Sequence, residues 1–266
     1  MHKVLEKYRP PAAWLILPPL AIAMAGCNKP PTANQPAAAN PQSMHYAKID
    51  TATAGVISGT IRFTGKAPTP IAIDMAQDPE CGTATKKPNT TEQYVVHNGR
   101  MANVFVYVKD GLGNRIYMPT KTPVVLDQKG CRDVPHVIGA MVGQPVEFRN
   151  SDPTAHNVHI DPPDAEPAAE FNISQPPMAG TQQHAFRSAG LMIPIRCDYH
   201  PWMEAFLNVV ENPFFSVSNV DGHFEIKGLP PGKYTLVAVQ EKLGKQSKSI
   251  TIHSRKTTEA NFTFSN

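Results

Sequence analysis

The chain of 266 residues carries a formal net charge of +3, and 41% of its residues are hydrophobic, so a packed core can form without a strong charge imbalance. No run of basic residues of the kind that follows a phosphate backbone is present, and nucleic acid is therefore not an expected partner. The 27 prolines are unevenly distributed, which predicts a linker and proline-bounded loops rather than disorder throughout the chain.

The N-terminus has the features of an exported protein. The first nine residues include three basic side chains, and an apolar stretch follows over residues 12–25 that is too short for a membrane span. Residues 25–27 read Ala-Gly-Cys and resemble a lipoprotein signal, although Met24 replaces the usual leucine. This resemblance implies that residues 1–27 are a signal peptide and that a lipid on Cys27 anchors the protein to a membrane facing the periplasm or the cell exterior. The alternative is ordinary secretion in which Cys27 has no role.

The segment after Cys27 is predicted to be a tether. Residues 29–43 hold many Pro, Ala and Asn and show no hydrophobic period, so they cannot bury enough apolar surface to fold. We expect residues 28–51 to be disordered and the folded part to begin at about residue 52.

The folded part is predicted to be all-β. Short runs rich in β-branched and aromatic residues alternate with Gly, Pro, Asn and Asp, and no stretch has a sustained helical period. Predicted strands cover residues 57–63, 102–108, 123–126, 145–149, 155–160, 182–186, 192–196, 206–210, 214–217, 224–226, 234–239, 249–252 and 260–264.

Two pieces about 40 residues apart carry the candidate metal chemistry. One is a strand segment with His156, and the other offers Cys197, His200 and Met203 at intervals of three residues. A tight loop with that spacing can turn a thiolate, an imidazole and a thioether toward one point. Two His, one Cys and a weak axial Met are the ligands of blue copper electron-transfer sites. No second cysteine stands nearby, which argues against a structural zinc site.

These residues resemble the cupredoxin family, most closely its amicyanin branch, which has a Cys-x-x-His-x-x-Met ligand loop and a His-Asn-Val-His string upstream. Plastocyanins have a longer gap between the last His and Met. The resemblance implies a Greek-key β-sandwich over residues 119–211 and one type-1 copper held by His156, Cys197, His200 and Met203. It extends to residues 142–148, which look like the strand that leads into the upstream ligand.

Each candidate has a plainer interpretation. Cys197 is alternatively a buried inert cysteine and Met203 a core residue. Trp202 is either core or part of a contact face. His159 is not expected to be a ligand, because three residues along a strand it faces away from His156. The remaining histidines lack ligand-like spacing and are expected to be solvated: His97, His136, His184, His223 and His253.

The C-terminal part continues the strand pattern. Residues 215–239 include Asp221-Gly222, a hairpin signal, and resemble the carboxypeptidase regulatory-like domain, a small transthyretin-like sandwich. Residues 55–68 look like the first strand of the same family. The two resemblances imply a second sandwich built from residues 52–118 and 212–266, with the cupredoxin inserted between them.

Cys81 and Cys131 remain after Cys27 and Cys197 have been given other roles. In an oxidising compartment they are expected to form a disulfide worth about 4 kcal/mol, and two free thiols are the alternative.

The resulting expectation is a carrier of single electrons rather than an enzyme. Its partners would be a redox protein, such as a c-type cytochrome, an oxidase or a dehydrogenase, and a membrane reached through the lipid anchor. His200, Pro201 and Trp202 would form the electron-transfer face, with one ring edge of His200 exposed. Asn157 or a backbone carbonyl would hold the second nitrogen of His156. The alternatives are a copper-binding or copper-delivery protein, and an adhesion or scaffold module in which the metal is structural.

Overall fold

The computed structural model describes residues 45–83, 88–161 and 171–266, all within the compact unit Ser43–Asn266. The predicted signal peptide, Cys27 and most of the predicted tether lie outside these residues. None of the described residues form a helix with the length and apolarity needed to cross a membrane.

The described chain is almost entirely β, which confirms the predicted fold class. One five-residue helix, absent from the prediction, interrupts it. The elements in chain order are β1 (Gly55–Thr64), α1 (Pro79–Thr83), β2 (Val96–His97), β3 (Arg100–Met101), β4 (Phe105–Asp110), β5 (Val124–Gln128), β6 (Asp133–Val134), β7 (Val137–Met141), β8 (Pro145–Asn150), β9 (His156–Ile160), β10 (Phe171–Gln175), β11 (Gln182–Ala185), β12 (Gly190–Arg196), β13 (Glu204–Val210), β14 (Phe215–Val217), β15 (His223–Leu229), β16 (Gly232–Gln240), β17 (Gly244–Ile252), β18 (Thr257–Glu259) and β19 (Phe262–Ser265).

The described residues form four sheets. Two of them take all their strands from residues 124–210, here called the middle part of the chain, and the residues on either side are called the flanking parts. A five-stranded sheet has the order β10-β9-β12-β13-β7, and a four-stranded sheet has the order β11-β8-β5-β6. Apolar side chains from both sheets form one core, with Phe148 and Ile195 among its fully buried members. The removal of these apolar side chains from water is the main force that holds the two sheets together.

The other two sheets combine strands from both sides of this middle part. β1 pairs with β15, β18 and β19, whereas β4 pairs with β14 and β16. β1 alternates buried and less buried positions, so Ile57, Ile61 and Phe63 point into the core between these sheets. The two flanking parts of the chain therefore share one core.

The two pairs of sheets are packed against each other. Phe105 and Phe215 of the flanking part contact Val137 and Phe206 of the middle part in a separate apolar cluster. Gly139 allows this close approach, because a Cβ there would lie 2.5 Å from the Phe105 ring.

Two local predictions are wrong. The turn at Asp221-Gly222 does not form a hairpin, because β14 and β15, which flank it, belong to different sheets. Instead, the Asn219 side chain accepts hydrogen bonds from the backbone of Asp221 and His223 and turns the chain from one sheet to the other.

The predicted tether also ends too late. The backbone N–H of Ala47 donates to the carbonyl of Ile116 at 2.7 Å, and Tyr46 bridges to the same residue. Ala47 packs against the core of the flanking sheets. The packed part of the chain therefore begins before residue 52.

Candidate metal centre

The candidate ligands lie where two neighbouring strands of the five-stranded sheet begin or end, and in the loop that follows. His156 is the first residue of β9, and Cys197 directly follows β12, the neighbouring antiparallel strand. His200 and Met203 lie in the loop between β12 and β13, where the N–H of Met203 donates to the carbonyl of His200 at 2.9 Å. Two adjacent strand ends and one tight loop thus bring together residues that are 44 positions apart.

The three donor atoms form a compact triangle. Nδ1 of His156 lies 2.9 Å from Nδ1 of His200, and Sγ of Cys197 lies 4.0 Å and 3.7 Å from these two nitrogens. One point in their plane is about 2.1 Å from all three atoms, close to the ~2.0–2.3 Å bonds that a metal such as zinc forms with imidazole and thiolate. All three residues are at most 5% exposed. The donor set therefore fits a metal ion of the size and softness of copper.

The outer nitrogens of the two histidines determine which way their lone pairs face. Nε2 of His156 lies 3.0 Å from Oδ2 of Asp152, and Nε2 of His200 lies 2.9 Å from Oδ2 of Asp78. An ionised carboxylate only accepts hydrogen bonds, so each Nε2 carries the hydrogen, and each neutral ring turns its Nδ1 lone pair inward. Two inward lone pairs at this distance, with a sulfur beside them, must share either a metal ion or a proton.

The pKa values agree with this requirement. Burial lowers the pKa of His156, but hydrogen bonds with Asp152 and Cys197 outweigh burial and raise it to about 9. Burial raises the pKa of Asp78, but hydrogen bonds from His200, Thr154 and two backbone N–H groups lower it to about 2. Without a metal, a proton therefore supplies the positive charge at the centre.

Asn157 fixes the position of the sulfur. Its backbone N–H points to Sγ of Cys197 at 3.4 Å, and its side chain accepts from the N–H of Asp198 at 2.6 Å and donates to the Asp198 carboxylate at 2.7 Å. These contacts hold the start of the ligand loop against β9. They also show that Asn157 orients the loop and does not hold the second nitrogen of His156, which is bound by Asp152 instead.

Met203 is 1% exposed and packs with Cys197, Met75 and the pair Cys81 and Cys131. This burial beside the sulfur is compatible with an axial ligand, and the assignment stays a prediction. Glu204, the neighbouring residue, is partly exposed.

The predicted disulfide is present. Cys81 in α1 and Cys131 in the turn before β6 are joined, and Cys197 is the one free cysteine among the described residues. The sets Asp78–Cys81–His200 and Cys131–Asp152–His156 also cluster, but both include a disulfide sulfur, which cannot act as a thiolate ligand.

The expectation that His200 exposes a ring edge is wrong. His200 is 5% exposed, because Asp78 lies on its outer nitrogen and Trp202 lies against its ring with 5.1 Å between the ring centroids. Pro201 is exposed, whereas Trp202 is half-buried and donates through Nε1 to the carbonyl of Cys131 at 3.2 Å. Of the three residues predicted for the electron-transfer face, only Pro201 and Trp202 reach the surface.

Two other histidines are not solvated as predicted. His136 is 7% exposed, and its ring bonds to the carbonyl of Glu204 at 3.0 Å and to the Glu241 carboxylate at 3.1 Å. His184 packs between the rings of Phe171 and Phe186.

The other histidine predictions agree with the structure. His97, His223 and His253 are exposed. His159 bonds to Asp198 on the outer side of the sheet and contributes no atom to the donor triangle.

Sequence reasoning missed the two aspartates that hold the ligand histidines. Asp152 had a usable signal, since it is a carboxylate four residues before His156 in an Asn-Ser-Asp-Pro turn. Asp78 had none, because it is 122 residues from His200 and reaches it only through the tertiary fold.

A cleft of about 420 Å³ opens beside the centre. It is lined by Cys197, Trp202 and Met203 on one side, and by the ion pair of Arg132 with Glu92 on the other. The cleft therefore borders Cys197 and Met203, and His200 is not among its lining residues.

Comparison with known proteins gives structural neighbours only. No family model matches the chain, and no curated protein matches it. Three of the solved structures that resemble it are a copper-containing nitrite reductase from Thermus scotoductus SA-01, the reduced Cu(I) form of a proline-to-glycine variant of amicyanin, and a purple cupredoxin from Nitrosopumilus maritimus.

Each neighbour matches about a third of this chain. The nitrite reductase is 23% identical over 38% of this chain and 25% of its own, with a TM-score of 0.31. The amicyanin variant is 21% identical over 34% of this chain and 84% of its own, with a TM-score of 0.30. The purple cupredoxin is 18% identical over 32% of this chain and 98% of its own, with a TM-score of 0.26. At these identities and TM-scores, the neighbours assign no function to this chain.

Proposed function

We propose that this chain holds one copper ion in a type-1 site and passes single electrons between redox proteins outside the cytoplasm. Cys197, His156 and His200 form the trigonal plane, and Met203 is the weak axial ligand. The chain is not an enzyme in this proposal. Its redox partner is a protein such as a c-type cytochrome, an oxidase or a dehydrogenase.

One observation carries the proposal. The inner nitrogens of His156 and His200 and the sulfur of Cys197 face one point at bonding distance, while carboxylates hold both outer nitrogens. A His₂Cys plane with a long thioether contact is acceptable to both Cu(I) and Cu(II), which is the property an electron carrier needs.

The residues around the plane have separable roles. Cys197 supplies a thiolate, and the Asn157 N–H near its sulfur stabilises the negative charge there. Asp152 and Asp78 keep both imidazoles in the tautomer that points Nδ1 inward. Because both sheets are packed around Phe148 and Ile195, the strand ends that carry the ligands are held rigidly.

The exposed residues beside the ligands suggest where a partner docks. Tyr199 is 54% exposed and Pro201 is exposed, on either side of the covered His200. We propose that Tyr199, Pro201 and Trp202 form the contact face, and that electrons leave through the ligand loop rather than through a bare imidazole edge.

The experiment is visible absorption and paramagnetic resonance of the chain loaded with Cu(II). We expect an intense thiolate-to-copper band that is lost in Cys197→Ser while the far-ultraviolet circular dichroism is unchanged. His159→Ala is the matched control, since His159 lies in the same strand as His156 and outside the donor triangle. A chain that binds no copper, or a Cys197→Ser variant that stays blue, overturns the proposal.

Copper storage or delivery is a second candidate function, because His200 is covered rather than exposed. The two functions differ in rates. A carrier exchanges electrons rapidly with a second copy of itself and loses copper slowly to a chelator, whereas a delivery protein does the reverse. Stopped-flow self-exchange and chelator competition on the same preparation separate them.

We also propose that residues 119–211 are a copper-binding domain inserted into a transthyretin-like sandwich formed by residues 52–118 and 212–266. The strand pairing supports this division, since β1 and β4 pair only with strands of residues 100–101, 215–240 and 257–265. Expression of residues 119–211 alone tests this division. Because Cys131 loses its partner Cys81 in this fragment, a Cys131→Ser form of the fragment is the matched comparison.

A further inference from the structure

Both aspartates that hold the ligand histidines come from outside the ligand strands. Asp78 lies in residues 71–83, here called the capping segment, which belongs to the flanking part of the chain and ends in α1. Asp152 lies in the turn between β8 and β9. The metal centre therefore depends on one residue that the middle part of the chain does not contain.

Each aspartate is itself bound to the backbone of a disulfide cysteine. Oδ1 of Asp78 accepts from the N–H of Glu80 at 2.9 Å and of Cys81 at 3.4 Å. Oδ2 of Asp152 accepts from the N–H of Cys131 at 2.8 Å, and its Oδ1 accepts from Gly130 at 2.6 Å. The two half-cystines thus orient the two carboxylates that orient the two imidazoles.

The same disulfide forms part of the wall around the sulfur ligand. Cys81, Cys131 and Met75 pack against Cys197 and Met203 in one buried cluster. Thr154 also links the two sides, because its hydroxyl donates to Oδ2 of Asp78 at 2.9 Å.

Few backbone hydrogen bonds hold the capping segment. Ile73 donates to the carbonyl of Asn89, and Ile71 accepts from Thr91. α1 is five residues long, which is too short to be stable by itself. The covalent link from Cys81 to Cys131 is therefore the strongest attachment of Asp78 to the metal centre.

We infer that Asp78 and Asp152 are positioning residues of the metal centre, and that the Cys81–Cys131 disulfide controls metal retention by fixing both carboxylates, although it supplies no ligand. This inference rests on the proposed copper site. It predicts that reducing the disulfide weakens copper binding while the ligands remain in place.

The test compares Asp78→Ala, Asp78→Asn, Asp152→Ala and the double variant Cys81→Ser/Cys131→Ser in the full chain. Copper affinity is measured by competition with a chelator. Loss of a residue that orients a ligand costs about 10–100-fold in metal affinity, and we expect that loss for both alanine variants and for the double variant. Asp78→Asn retains a hydrogen-bond acceptor without the charge and should lose less.

Asp74→Asn is the matched control. Asp74 lies in the same segment and accepts from the N–H two residues ahead, as Asp78 does, but it contacts no ligand histidine. Its copper affinity should equal that of the unmodified chain.

A second measurement needs no copper. The rate at which iodoacetamide alkylates Cys197 in the metal-free chain is followed by peptide mapping. Cys197 is 2% exposed, so its alkylation reports opening of the buried cluster. We expect a rise of about tenfold or more in Asp78→Ala and in the double variant, and none in Asp74→Asn.

The outcomes separate this inference from the proposed function. Failure of the unmodified chain to bind copper overturns the proposed function, and the alkylation rates then decide the inference alone. Copper binding that is equally tight in the unmodified chain, Asp78→Ala and Asp152→Ala overturns the inference and leaves the proposed function standing. Circular dichroism identifies an alanine variant that fails to fold. The copper affinity and alkylation rate of Asp78→Asn then test the role of Asp78.

Discussion

Gln128 and Asp133 lie opposite each other in the antiparallel pair of β5 and β6, and both side chains are buried with acceptors that lack a donor. Within the described part of the chain, Oε1 of Gln128 and both carboxylate oxygens of Asp133 have no hydrogen-bond partner. Burial outweighs the attraction of His156 and raises the pKa of Asp133 from 3.8 to about 7. A proton on Asp133 would supply the missing donor.

Asp133→Asn should therefore stabilise the copper-free chain at and above neutral pH. The folded state binds this proton more tightly than the unfolded state, so the free energy of unfolding falls as pH rises from about 4 to about 7. The ionised group costs up to about 4 kcal/mol above pH 7, and the amide removes that cost. Urea unfolding between pH 4 and pH 8 measures the difference between the variant and the unmodified chain. Asp221→Asn, in an exposed turn, is the control, and equal pH profiles for all three proteins would contradict the prediction.

The pair of His136 and Glu241 should stabilise the contact between the middle and flanking parts of the chain. Their side chains are 5% and 2% exposed, and Nε2 of His136 lies 3.1 Å from Oε1 of Glu241. His136→Ala leaves this carboxylate buried with only Lys242 at 3.7 Å, and should reduce the free energy of unfolding by about 3 kcal/mol.

Chemical denaturation measures the loss, with His253→Ala as the exposed control. The double variant His136→Leu/Glu241→Leu should recover part of the stability, because no unpaired charge remains. A His136→Ala variant as stable as the control would show that the pair contributes nothing.

The grouping of the candidate ligands was predictable from sequence because they lie in two short stretches. Cys197, His200 and Met203 lie within seven residues, and their spacing limits the ways in which one loop can arrange them. His156 stands at the start of a strand whose neighbours are also recognisable by period. The donor triangle at His156, Cys197 and His200 follows from these two short stretches.

The environment of the ligands was not predictable, because it comes from distant parts of the chain. Asp78 covers His200 because tertiary contacts, among them the Cys81–Cys131 disulfide, place the capping segment beside the ligand loop, and the sequence leaves free thiols as an alternative for Cys81. The sequence predicts a solvated His136 because its partner Glu241 is 105 residues away, in the turn after β16. Burial of this kind depends on which sheets pack together, and single-strand patterns do not report that.

Cys27→Ala should move the protein from the membrane fraction to the soluble exported fraction. In the proposed lipoprotein the acyl chains are the anchor, and stable anchoring is lost without them. Cell fractionation with immunodetection measures the distribution, and Cys197→Ser, a cysteine variant outside the signal, serves as the control. Persistent membrane attachment of Cys27→Ala would show that the apolar stretch over residues 12–25 is retained instead of removed.

Met203→Gln should lower the reduction potential of the copper-loaded chain while its colour persists. The plane of His156, Cys197 and His200 is complete without the thioether, so copper should stay bound. A thioether is soft and favours Cu(I), whereas an amide oxygen is harder and favours Cu(II), which lowers the potential. Met75→Gln is the matched control, because Met75 is a second buried methionine in the same cluster and its sulfur accepts from Asn89 at 3.6 Å. Protein-film voltammetry and the visible spectrum measure both properties. The prediction fails if the potential is unchanged in Met203→Gln or is lowered equally in Met75→Gln. Met203 would then be a packing residue, and another group, such as Glu204 or a backbone carbonyl, would hold the axial position.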